Sequence, residues 1–183
     1  PIAALHDHPI TLVAQGTLAQ RPLGAIADVL TPADIGVNLS DGHAPITLHG
    51  PLKGGTFSLD GSLSSQFLTG LLMALPVATG DSTVSVKDLK SRPYIDMTMD
   101  VLQGVGIALK HDDYQQFQIP GGQQFQPFDQ TVAGDWSAGA FLLAIAALAG
   151  DPFLEVDGLG NTPTQADQAV TGALLYSGAK MMR

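Results

Sequence analysis

The chain has 183 residues, 45% of them hydrophobic and 14% charged, with no Cys and a formal charge of −9. That length and apolar content suffice for one domain or slightly more with a substantial core. No apolar run is long enough to span a bilayer, the longest candidate (138–149) being about half of what is needed. Without Cys there is no disulfide framework, thiolate zinc site or Cys nucleophile, and eight basic against seventeen acidic side chains argue against a nucleic-acid or anionic-membrane surface.

Residues 1–5 read as the tail of a helix and 10–14 as a short strand before a turn at Gln15-Gly16-Thr17. Arg21-Pro22 is read as opening a helix through about Leu30, with Pro suited to the first helical position. Val37 and Leu39, then Ile46 and Leu48, mark two short strands around Asp41-Gly42, and residues 56–59 form another after Gly54-Gly55. Phe67, Leu68, Leu71, Leu72 and Leu75 recur on one helical face, with Pro76 as the stop. The alternation in 83–87 predicts a half-buried strand. Ser91-Arg92-Pro93-Tyr94 starts the next helix, which ends at Gly104 or Gly106. Residues 107–109 and 114–119 flank His111-Asp112-Asp113 as a hairpin, and 121–129 is a loop or edge segment. A very apolar helix over 138–149, read as core, a strand over 153–156 and a last helix from Pro163 to about Ser177 complete the order.

This order repeats. Arg21-Pro22 recurs as Arg92-Pro93, Gly36 as Gly106, Gly61 as Gly134, Gly80 as Gly150 and Pro93 as Pro163, each about 70 residues on, a period too long for the common solenoids. The expected fold is therefore α/β, built from βαβαββ units of which about two and a half are present. Pro1 stands where an initiator Met would be, and the last copy stops before its hairpin. The expectation is an internal stretch of a longer chain, shortened at both ends. Residues 1–11 carry His and Asp and no basic start, so no signal peptide is expected.

One stretch organises the candidate chemistry. A strand runs through Gly61 into Ser62, Ser64, Ser65 and Gln66, at or just before a helix N-terminus. Free backbone N–H groups and the helix dipole favour an anion there, and hydroxyls and an amide add donors without charge. An ordinary Ser cap is the plain alternative.

Gly61-Ser62-Leu63-Ser64-Ser65-Gln66-Phe67, Ser91-Arg92-Pro93-Tyr94-Ile95-Asp96, Arg21-Pro22-Leu23-Gly24 and Gly134-Asp135-Trp136-Ser137 resemble, in order and spacing, the central motifs of the 5-enolpyruvylshikimate-3-phosphate (EPSP) synthase family. The resemblance implies two domains of three βαβαββ units each, the inside-out α/β barrel of the enolpyruvyl transferases. Residues 1–132 would be most of the first, shikimate 3-phosphate-binding domain, and 133–183 the beginning of the second. It implies transfer of the enolpyruvyl group of phosphoenolpyruvate to the 5-hydroxyl of shikimate 3-phosphate in aromatic amino acid biosynthesis, the reaction that glyphosate targets. Protonation makes the enol carbon electrophilic, the hydroxyl attacks it, and the resulting ketal eliminates phosphate.

By the same resemblance, Ser64, Ser65, Ser91 and Tyr94 contact shikimate 3-phosphate, Gln66 lies between the substrates, and Arg21 holds phosphoenolpyruvate. A guanidinium suits that task because its fork pairs bidentately with phosphate or carboxylate. Two of these have a structural alternative of their own: Arg21 as a surface residue and Tyr94 as a packing aromatic. Arg92 and Asp135 are further candidates, Arg92 equally as a solvated residue and Asp135 first as a helix cap. The family's N-terminal Lys-Ser-x-x-x-Arg motif and its C-terminal acidic and basic catalytic residues have no counterpart here. No catalytic residue is therefore assigned, and the isolated chain is expected not to turn over. The resemblance implies no cofactor, no metal, a cytoplasmic location, small-molecule partners only, and a monomeric full-length enzyme; self-association is a route for the isolated chain to hide its apolar helix.

Two other functions are weighed. One is UDP-N-acetylglucosamine enolpyruvyl transferase, against which Ser64-Ser65-Gln66, Ser91-Arg92-Pro93-Tyr94 and the absence of a Cys argue. The other is a non-catalytic domain binding a phosphorylated ligand. His6-Asp7-His8 lacks a third metal ligand nearby in sequence, and His43, His49 and His111 read as solvated. Lys53-Gly54-Gly55 has the wrong order for a phosphate loop, and Gly104-Val105-Gly106 closes a helix rather than opening one.

Overall fold

Strands β4 (Thr56–Asp60) and β5 (Ser82–Lys87) pair in parallel, Thr56 opposite Thr83 through Asp60 opposite Lys87, and helix α2 (Ser65–Ala74) makes the crossover between them. The computed structural model describes residues 1–62, 65–149, 154–160 and 164–182. It divides into two compact units, Pro1–Phe128 and Asp129–Arg183.

In the first unit, β1 (Ile10–Leu12), helix α1 (Gly24–Leu30), β2 (Gly36–Ser40) and β3 (His43–His49) build an antiparallel sheet of order β1-β3-β2. Then β4, α2, β5, helix α3 (Arg92–Gly104), β6 (Lys110–Asp112) and β7 (Gln116–Ile119) build a sheet of order β4-β5-β7-β6. The second series is a complete βαβαββ unit and the first is its later part. The repeat holds at the level of register, since Ile10 opposite Leu48 in the first sheet answers to Ser82 opposite Ile119 in the second.

Alternation places the apolar residues of each strand on one face. Phe57, Val84 and Phe117 form a row across three strands, with Leu59 and Val86 beside it. They meet Ile46 and Leu48 of the other sheet and the helices in one core. Leu68, Leu71, Leu72, Ala74 and Leu75 are wholly buried, so α2 lies inside the core rather than on it, and Gln66 is the exposed residue of the stretch 65–76. Ile95, Thr98 and Leu102 bring α3 against this core, and a hydroxyl pair, Thr69 to Thr98 at 3.2 Å, joins the two helices.

Several expected boundaries are corrected. Residues 2–5 and 16–20 form 3-10 turns, and α1 begins at Gly24 instead of at Arg21-Pro22. Arg21 is extended (φ −73°, ψ 133°), the conformation a following Pro imposes. The strand read at 107–109 lies at 110–112. Ile107 N–H instead closes the end of α3 on Leu102 O (2.9 Å), and the Gln123 amide takes up both backbone groups of Ala108 (2.7 and 2.9 Å). Tyr114 is in the turn rather than in the strand.

In the second unit, helix α4 (Trp136–Ala149) is followed by a 3-10 turn at Ala166–Ala169 and helix α5 (Val170–Tyr176). The last helix is thus shorter than expected, and Pro163 lies outside the described residues. Residues 154–156 are not a strand, and Phe153 lies outside the described residues; no strand is described in this unit with which they could pair. Helix α4, read as core that the isolated chain exposes in part, is largely exposed. It buries only Trp136 and Gly139, the latter beside Leu159, while Phe141 (75% exposed) and Leu148 (89%) face outward. Among the described residues, no helix is long and apolar enough to cross a membrane.

Since Leu72 is fully buried in α2, Leu72→Ala is expected to lower stability by about 2–5 kcal/mol, read as a lower urea midpoint with an unchanged slope.

Candidate functional site

A parallel strand pair sends both chains out of the sheet at the same edge. The carboxyl ends of β4 and β5 are adjacent, and α2 and α3 start from them, which is where open α/β sheets form their binding crevice. The β4–α2 turn is tight. Ser62 holds the Asp60 carboxylate by hydrogen bonds, with its amide 2.8 Å from Oδ1, and these keep the Asp60 carboxyl below its ordinary range. Gly61 N–H bonds Lys87 O at 2.7 Å. A Cβ on Gly61 would stand 2.9 Å from Leu89 Cα and 2.9 Å from Val86 Cγ1, so only Gly lets the two connections run this close.

Ser65 is the first residue of α2, and Gln66 is exposed beside it; Leu63 and Ser64 lie outside the described residues. Ser91 is the N-cap of α3 and makes no side-chain capping bond, while Tyr94, 39% exposed, lies in the first turn. Neither α2 nor α3 has an acidic residue in its first turn. Neither first turn therefore supplies a carboxylate to its own helix's positive end. Lys87, Lys90 and Arg92, three of the chain's eight basic residues, flank the same connection.

Arg92 turns toward the β6–β7 hairpin. Its Nη1 donates to Asp113 Oδ1 (3.3 Å), and its guanidinium sits 4.9 Å from the centre of the Tyr114 ring. Tyr114 O–H donates to Asp96 Oδ1 at 2.5 Å, which raises the tyrosine's pKa. Asp88, Leu89, Lys90, Arg92, Asp113 and Tyr114 line a cleft of about 240 Å³ there. Sequence reasoning assigned no role to Tyr114 or Asp113. The exposed His111 stacks on Tyr114 (4.4 Å between ring centres) and its Nδ1 accepts the Tyr114 amide (3.2 Å), so it does more than face solvent.

Arg21 is exposed at the end of its 3-10 turn, where its amide bonds Leu18 O (3.2 Å), and nothing described joins it to α2 or α3. In the repeat it precedes α1 as Arg92 opens α3. Asp135, in the second unit, is a helix cap: its two carboxylate oxygens accept the amides of Ser137 (2.9 Å) and Ala138 (3.2 Å). Asp7 pairs with His8 at 3.0 Å on an exposed surface, and no cluster of three metal-ligating side chains occurs among the described residues.

The repeated βαβαββ architecture is shared with solved structures of enolpyruvyl transferases. An EPSP synthase from Acinetobacter baumannii superimposes with a TM-score of 0.69 at 23% identity over 96% of this chain and 38% of its own. The enolpyruvyl transferase NikO from Streptomyces tendae reaches 0.53 at 18% identity over 79% of this chain and 34% of its own. The family model of EPSP synthase (3-phosphoshikimate 1-carboxyvinyltransferase) matches residues 1–181, and the chain belongs to that family. It is 38% identical to the 3-phosphoshikimate 1-carboxyvinyltransferase of Pectobacterium atrosepticum over 98% of this chain and 43% of the relative. For the one from Shewanella amazonensis the identity is 40%, over 92% and 40%. The chain thus spans less than half the length of these relatives.

Gly61→Ala is expected to cost about 1–3 kcal/mol by forcing the two connections apart, seen as a lower urea midpoint and as shifted amide resonances at Ser62 and Leu89. Asp135→Ala is expected to cost the second unit about 1 kcal/mol through its lost cap, with Asp135→Asn retaining most of it, measured by amide exchange along α4.

Proposed function

We propose that this chain forms the shikimate 3-phosphate-binding part of an EPSP synthase, which moves the enolpyruvyl group of phosphoenolpyruvate to the 5-hydroxyl of shikimate 3-phosphate and releases phosphate. The observation that carries this reading is the pair of helix starts at the ends of β4 and β5, free of acidic residues and with the Ser91 hydroxyl unspent on its own helix. Two such starts suit a phosphate monoester, because backbone N–H groups and hydroxyls bond its oxygens while the dipoles favour its charge.

In this reading Ser64, Ser65, Ser91 and Tyr94 bind shikimate 3-phosphate, Gln66 reaches between the two substrates, and Arg21 meets phosphoenolpyruvate. Arg92 and Asp135 contribute through the scaffold, the first by its tie to Asp113 and Tyr114, the second as the cap of α4. Residues 1–132 are taken as most of the substrate-binding domain and 133–183 as the beginning of the next, in a cytoplasmic enzyme. Asp60 and Asp96, close to the two helix starts in sequence, already accept bonds from Ser62 and Tyr114, so neither is placed as a general base. The chain by itself is expected to bind without turning over.

Calorimetric titration with shikimate 3-phosphate tests this. Saturable binding is expected, weakened about tenfold in each of Ser65→Ala, Gln66→Ala and Ser91→Ala, as for loss of one hydrogen bond to a charged group. Binding unchanged by all three substitutions would overturn the site, and phosphate release by the chain alone would overturn the absence of turnover.

A further inference from the structure

We propose that Tyr114 is a positioning residue that fixes the first turn of α3, and with it Ser91 and Tyr94, from the opposite hairpin. The inference rests on the reading above only for its consequence in binding.

The hairpin between β6 and β7 turns at Asp113 (φ 41°) and Tyr114 (φ 58°), and the Gln115 amide closes it on Asp112 O at 2.8 Å. Two residues of positive φ make a type I′ turn, whose positions favour Asn, Asp and Gly. An aromatic residue in the left-handed region is disfavoured by its own backbone, and it persists only where its surroundings hold it. Tyr114 is held on three sides. His111 stacks on its ring and accepts its amide, the Arg92 guanidinium covers the ring, and Asp96 accepts its hydroxyl.

Two of those three partners belong to α3. Arg92 and Asp96 are four residues apart, one turn of one helix face, and Tyr114 touches both. Asp113 adds a bond to the same Arg92. Ser91 directly precedes this braced turn and Tyr94 lies within it. A helix start without its own side-chain cap frays, and here the bracing comes from a segment distant in sequence. The α3 start thus leaves Ser91 uncommitted while remaining fixed.

The test is amide exchange by NMR on the whole chain, comparing wild type with Tyr114→Phe, which keeps the ring and loses only the hydroxyl. The amides of Ile95 and Asp96, the first that bond back to the N-cap and first turn of α3, are expected to exchange about fivefold faster, with those of α2 and β7 unchanged. Asp96→Ala should reproduce the loss, whereas Asp96→Asn, which keeps an oxygen to accept the phenol, should largely restore protection. Unchanged exchange in Tyr114→Phe, or a loss spread evenly over hairpin, α2 and α3, would overturn the proposal. In parallel, shikimate 3-phosphate affinity should fall about threefold to tenfold in Tyr114→Phe. Faster exchange with undiminished affinity would overturn the positioning role. Failure of the wild type to bind would count against the functional reading alone, the exchange result still deciding whether Tyr114 holds α3.

Discussion

The parallel pairing of β4 with β5 is the constraint on which the rest of the first unit depends. A parallel neighbour can be reached only by a crossover, and here the crossover is α2, whose apolar residues are buried in the core. With α2 inside the core, the exposed positions described at its start are Ser62 and Gln66. The same pairing delivers α3 to the same edge one strand over. Two helix N-termini side by side follow from one strand pair and its crossover, before any side chain is assigned a role.

The contrast between helix starts carries chemical meaning. Asp135 satisfies the start of α4 with both carboxylate oxygens and places a negative charge on its positive end. At α3, Ser91 occupies the equivalent position and makes no such bond. The chain is acidic overall, yet the first turns of α2 and α3 hold no acid, and Lys87, Lys90 and Arg92 cluster beside them. A diffuse negative charge is screened by salt over about 10 Å, whereas donors at bonding distance are not. An anion can therefore be held locally in a chain of formal charge −9.

The two units differ in how completely they meet their own needs. The first closes a core from two sheets and three helices, and its repeat is exact enough for equivalent strands to pair in equivalent registers. The second has a helix apolar on all sides with little to pack against, so Phe141, Ile145 and Leu148 remain exposed.

Much of the order of elements was legible in the sequence. The 3.6-residue spacing of Phe67, Leu68, Leu71, Leu72 and Leu75 marked α2, alternation marked β5, and the recurrence of Arg-Pro and Gly about 70 residues apart marked the repeat. These signals are local or periodic, so composition and spacing suffice to carry them, and the helix-start motif was found the same way. What only the tertiary structure decided involves partners distant in sequence. Residues 107–109 look like a strand, but Gln123 takes the Ala108 backbone groups, and the strand begins later. Gly61 is required by Leu89, and Tyr114, in the turn beside a predicted strand, reaches Arg92 and Asp96 across the sheet edge. The apolar residues of α4 suggest core in any sequence reading, because hydrophobicity says that a face needs covering and not whether the folded unit supplies the cover.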